Sequence, residues 1–76
     1  MKLMDLKIGE VGVVINLSAK GAILRRLLEL GFIEGAKVQI VAKAPFGRTI
    51  LVNLMGDYIA LSSEICNLVL VKKEGL

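Results

Sequence analysis

Residues 24–35 read Leu-Arg-Arg-Leu-Leu-Glu-Leu-Gly-Phe-Ile-Glu-Gly and constrain the fold more than any other stretch. At 100° per residue, Ile23, Leu24, Leu27, Leu28 and Leu30 fall in one arc of roughly 160°, with Arg25, Arg26 and Glu29 opposite, as on a short amphipathic helix. Gly31 stands where a helix C-terminus wants a left-handed residue, a conformation that glycine adopts without steric cost. Phe32 and Ile33 then lead to a turn at Glu34-Gly35. No other long stretch of the chain carries a helical period.

The remainder reads as short strands. Residues 3–9 form a leading loop, with Leu6 and Ile8 expected to tuck inward. In the first strand Val11, Val13, Ile15 and Leu17 alternate with Gly12, Val14 and Asn16, and Gly12 suggests a bulge or a close backbone approach. Ser18 is a candidate cap for the helix. Val38, Ile40 and Ala42 alternate with Lys37, Gln39 and Val41, and residues 44–48 are loop chemistry because proline fixes φ and glycine relaxes it. Ile50, Val52 and Leu54 define a third strand, with Thr49, Leu51, Asn53 and Met55 on its second face. Gly56-Asp57 is the expected two-residue hairpin turn, glycine first as in type II′, and residues 58–61 return antiparallel. Residues 62–67 lose the alternation and predict one helical turn. Residues 68–71 predict the last strand and 72–76 a polar tail. Five strands, one helix and a single turn make an all-β fold with a small α component. Antiparallel hairpins this short favour a small closed barrel, since closure removes sheet edges. With no linker, repeat or low-complexity tract, residues 1–76 read as one domain.

Composition matters because it exceeds what such a barrel hides. The chain has 76 residues, 55% of them apolar, whereas a domain of this size buries only about 60% of its unfolded surface. The excess is either scattered surface residues or a patch that meets a partner or a second copy. No run approaches the ~20 apolar residues of a membrane span, and Asp5 and Lys7 break the start too early for a signal peptide. The expected location is cytoplasmic. A single cysteine, Cys66, excludes an internal disulfide and suits a reducing compartment. A net charge of +3 and a pI of about 9.3 admit acidic partners, nucleic acid or an anionic membrane surface. The ten basic residues are dispersed, however, as on an ordinary solvated surface.

Catalytic constellations are missing. Without histidine the usual base and the usual metal ligand are both absent. Ser62 and Ser63 have no base nearby and sit where hydroxyls cap helices, and the acidic residues are too scattered to converge on a metal or a glycosidic bond. Cys66 reads as a small buried apolar side chain; the alternative is a ferrous ligand joined by Asp57 or Glu64. Single-strand nucleic-acid binders need aromatic platforms in a basic groove, but Phe32, Phe46 and Tyr58 are not interleaved with the basic residues. Arg25 and Arg26 either touch phosphates or keep the helix soluble, with Glu29 pairing to one of them. The expectation is a chain with no enzymatic activity, no cofactor and no metal-ligand set.

Taken in order, several segments resemble the ferrous iron transport protein A (FeoA-like) family. They are Leu6-x-x-Gly9-x-x-Gly12, the run from Leu24 to Phe32, Gly35-Ala36-x-Val38, Ala44-Pro45-Phe46-Gly47 and Ile59-Ala60-Leu61. The resemblance covers about residues 3–71. It departs from the family's pattern at Glu34, where proline is common, at Ser62-Ser63, and at Cys66, where alanine is usual.

The resemblance implies an SH3-like barrel and a cytoplasmic accessory role in ferrous iron uptake. The implied partner is a membrane permease carrying a cytoplasmic GTP-binding domain, which such proteins bind and tune. A peripheral position at the inner face of the membrane and self-association stay open. For docking, the loop Lys43, Pro45, Phe46 and Arg48 and the helix pair Arg25 and Arg26 are the expected partner-binding residues. Phe46 serves as an apolar anchor inside a basic rim, or else folds back as a plug over the barrel mouth. The alternative function is a regulatory or nucleic-acid-binding module, because a similar barrel ends metal-dependent repressors. The missing winged helix argues against a fragment of one.

Overall fold

Chain order in the structure, a computed structural model describing residues 1–75, is β1 (Val11–Leu17), α1 (Gly21–Leu30), β2 (Lys37–Lys43), β3 (Thr49–Leu54), β4 (Asp57–Ser62), α2 (Ser63–Cys66) and β5 (Val69–Lys73). Two single 3-10 turns, Leu3–Asp5 and Pro45–Gly47, complete it. The strands form one antiparallel sheet in the order β4-β3-β2-β1-β5, giving the expected mainly β fold. Its register slips between Val14 and Asn16 in β1 and between Ile40 and Ala42 in β2. Such irregularities bend a strand and sharpen its twist, so the sheet curls around one core. Val38, Ile40, Ile50, Val52, Val69 and Val71 line that core, which Leu3, Leu6, Leu27 and Phe32 fill. Burying each large side chain contributes about 1.5–3 kcal/mol.

The helix stop forms as expected. Gly31 has φ 108° and its N–H donates to the Leu27 and Leu28 carbonyls, while Phe32 N–H donates to Leu27 O at 3.0 Å. This capping satisfies the Leu27 and Leu28 carbonyls and turns Phe32 into the core beside Leu27. The single turn of α2 is capped as read: Ser62 Oγ accepts from Ile65 N–H at 3.2 Å.

Several local expectations are corrected. Ser18 does not cap α1; its N–H donates to Leu68 O at 2.7 Å, keeping it with the β1–β5 edge, and Lys20 takes the N-cap position without a side-chain bond. Ile8 is 60% exposed, because the turn carrying it is pinned through Gly9 N–H to Ile40 O and presents its far side to solvent. Gly12 is a close approach and the bulge lies further along β1. Ala42 is exposed beyond the slip in β2. The β3–β4 turn is Met55-Gly56 rather than Gly56-Asp57, with φ 51° and 98°, and Leu54 pairs with Asp57. Positive φ at both central residues is a type I′ turn, not II′. Asn53 Oδ1, accepting from Gly56 N–H at 2.9 Å, holds that frame. β5 runs on through Lys72 and Lys73, shortening the expected tail; Leu76, the last residue of that tail, lies outside the described residues.

The closure expected to remove sheet edges is not completed by hydrogen bonds, since β4 and β5 do not pair among the described residues, and the two outer edges are treated differently. Met1 and Lys2 lie along β5, where Val71 N–H donates to Met1 O at 2.8 Å and Lys2 bridges to Leu70. Among the described residues strand β4 has no such cover.

Candidate functional site

The β2–β3 connection is short and closed by main-chain bonds: Ala44 N–H donates to Thr49 O at 2.8 Å and Gly47 N–H to Ala44 O at 3.0 Å. Pro45 starts the turn with its fixed φ. Phe46 follows at φ 69°, ψ 6°, and Gly47 at φ 65°. A left-handed conformation costs an L-residue roughly 1–2 kcal/mol, and Phe46 recovers none of that by burial, being 96% exposed. The plug over the barrel mouth is therefore excluded. Lys43 reaches back so that Nζ donates to Met4 O at 3.5 Å, and Arg48 is exposed while its carbonyl accepts from Ser63 N–H at 3.0 Å. One hairpin end thus displays an exposed apolar ring, with cations at both feet.

Arg25 and Arg26 are exposed on α1, a different element, and share no hydrogen bond or ion pair with that loop among the described residues. The expected pairing of Glu29 with either arginine is not formed. The ion pairs among the described residues are Lys37–Glu74 at 3.0 Å and Lys73–Glu10. The bond from Lys73, then the Lys7 N–H, holds the Glu10 carboxyl below its ordinary range.

Sequence reasoning overestimated how much of α1 the barrel covers. Only Leu27 is fully buried; Ile23 and Leu28 remain 46% and 45% exposed. Two clefts flank the helix in consequence. One, of about 330 Å³, lies between Ile23, Leu27 and Leu30 of α1 and Ile59, Ala60 and Leu61 of β4, with Arg26 on its wall. The second, of about 300 Å³, runs between Leu24 and Leu28 and Val14–Leu17 of β1. Neither was anticipated, although an apolar arc wider than one contact stripe was its sign.

Cys66 is fully buried, and burial pushes its thiol from 9.0 up to about 11, against a smaller opposing pull from Lys43. Buried and protonated, the thiol packs as a small apolar side chain in the core. Among the described residues no three His, Cys, Asp or Glu side chains gather as a metal site. No helix there is long and apolar enough to cross a membrane.

The FeoA domain profile matches residues 1–73, so this chain belongs to the FeoA domain family. A curated relative from Porphyromonas gingivalis, an Fe(2+) transport protein A/Fe(2+) transporter FeoB fusion protein, is 28% identical over 64 residues. That match covers 84% of this chain but only 8% of the relative's length. Among solved structures, FeoA from Chlorobium tepidum is 33% identical with a TM-score of 0.92, covering 99% of this chain and 71% of that one. The zinc complex of Stenotrophomonas maltophilia FeoA, described as an SH3 domain protein, is 37% identical with a TM-score of 0.83, covering 95% and 89%. A manganese-dependent transcriptional repressor, 22% identical with a TM-score of 0.88 over 97% of this chain and 36% of that one, shares the fold alone.

Proposed function

From membership in the FeoA domain family, we propose that this chain is a cytoplasmic accessory protein of ferrous iron uptake. It binds the GTP-binding domain of a membrane permease and modulates it, with no catalysis of its own. The observation that carries the reading is Phe46, 96% exposed and held at φ 69°. An exposed aromatic in a costly conformation contributes nothing to folding and is suited to anchoring a partner. Lys43 and Arg48 add a basic rim that matches an acidic surface and speeds encounter, while Arg25 and Arg26 extend the positive field along α1. The relative that carries protein A and the transporter in one polypeptide supports the choice of partner. Covalent fusion raises the effective concentration of two modules that meet.

Co-purification with the permease's cytoplasmic domain tests this. Phe46→Ala and Arg48→Glu should each weaken retention by about tenfold or more, as expected for an anchor residue, while thermal unfolding stays unchanged. Normal binding by both variants would refute the surface. Tight DNA binding that falls steeply with salt would favour a nucleic-acid module in its place.

A further inference from the structure

Strand β4 ends the sheet with no lysine, proline or bulge to protect its edge, its one charge being Asp57 beside the turn. Its two-residue turn makes Leu54 and Asp57 a hydrogen-bonded pair, so Asp57, Ile59 and Leu61 direct their main-chain groups to β3. Tyr58 and Ala60 direct theirs outward, where neither makes a backbone hydrogen bond among the described residues. The strand, Asp57-Tyr-Ile-Ala-Leu-Ser62, has no lysine, proline or register slip. An edge of this kind is a template for strand addition. The chain covers its other edge with its own Met1 and Lys2, which makes the bareness of β4 a local property.

The cleft beside α1 meets this edge, since Ala60 lines both. A strand added to β4 would drop alternate side chains onto the cleft floor at Leu27 and onto Ile23 and Leu30, which are apolar and incompletely covered. Arg26 on the cleft wall has no ion-pair partner among the described residues.

We infer that the β4 edge and its cleft receive an extended segment of a partner polypeptide, adding a sixth strand whose inward residues are apolar and which carries a carboxylate for Arg26. Main-chain bonds supply affinity in such complexes, and pockets for alternate side chains supply selectivity. A second copy fits less well. Antiparallel pairing of two β4 strands about Ala60 would set Asp57, the strand's one acid, opposite Ser63, outside the stretch 59–61 that faces Arg26. The inference stands whether or not the permease reading holds, and it uses a different surface from the Phe46 loop.

The probes are synthetic peptides of about ten residues alternating valine with serine, one serine replaced in turn by glutamate or by lysine, matched to the strand-addition mode. Amide exchange and chemical shifts of the whole chain are followed by NMR. A glutamate peptide should slow exchange at Tyr58 and Ala60 by about tenfold or more and bind better than its lysine twin. Arg26→Glu should invert that preference. Ala60→Pro, whose lost N–H points outward, should abolish binding while Ile59 and Leu61 keep their protection. If Ala60→Pro does not fold, the Arg26→Glu inversion decides. Failure of every peptide at about 1 mM, protection centred elsewhere, or an unchanged preference in Arg26→Glu would overturn the inference. So would protection of Tyr58 and Ala60 in the free protein that rises with its concentration, the sign of pairing between copies.

Discussion

Gly12 and Val71 approach so closely that a Cβ on Gly12 would lie 2.9 Å from Val71 Cγ2, with Leu6 Cδ1 at 3.0 Å. Here the first strand, the last strand and the N-terminal segment share one layer of the core, and a methyl group has no room. Gly12→Ala should cost about 1–3 kcal/mol through overpacking. Denaturant unfolding checks this, and the penalty should shrink in a Val71→Ala background, because the pair is directly coupled.

Gly31 ends α1 at φ 108°. Gly31→Ala should destabilise by about 1–2 kcal/mol, the cost of placing an L-residue in the left-handed region. Gly31→Asn should lose less, since asparagine visits that region more readily. A thermal-melt series of the three proteins would show the order Gly, Asn, Ala.

Phe46 predicts opposed effects on stability and binding. Phe46→Asn relieves the left-handed strain and loses no burial, so it should stabilise the fold by about 0.5–1 kcal/mol. Retention on the permease domain should fall in the same protein. A parallel loss of both would mean that the ring packs against the barrel.

Cys66 should make stability fall on the alkaline side. Its folded pKa of about 11 exceeds the ordinary 9.0, so the native state holds the proton more tightly than the unfolded one. The contribution is complete below pH 9 and disappears as pH rises towards 11, amounting to about 2 kcal/mol from a shift of this size. Cys66→Ala should flatten the stability profile over that window. At pH 8 a thiol reagent should label the native protein only as fast as it opens.

Glu10 works in the opposite sense. Its carboxyl is held below the ordinary 4.5, first by Lys73, so its contribution is present above that value and is lost as pH falls through the lower folded one. Glu10→Gln should lower stability slightly at pH 6, where the ionised carboxylate holds Lys73, and should remove the small acid-side decline. Comparing midpoints at pH 3 and pH 6 tests it.

Much of this architecture was legible because it is encoded by near neighbours. The alternation of Ile50, Val52 and Leu54, the Gly31 stop and the Ser62 cap each depend on residues within a turn or two, and all formed as read. The β2–β3 loop was legible as Pro45-Phe46-Gly47, but the φ of Phe46 was not, since phenylalanine carries no local signal for a left-handed turn. The hairpin frame was misread by one residue because Asn53, outside the expected turn, decides it through Gly56.

Local sequence determined that this chain makes five short strands, one glycine-terminated helix and a Pro-Phe-Gly loop, because propensity and period act over a few residues. The tertiary structure alone decided how much of α1 is covered and that β4 stays bare. Those outcomes depend on where Ile59 and Leu61, about thirty residues along the chain from Leu27 and Leu30, come to rest against them. An apolar arc states that a helix has a face to bury; only the packed sheet determines how much of that face it reaches.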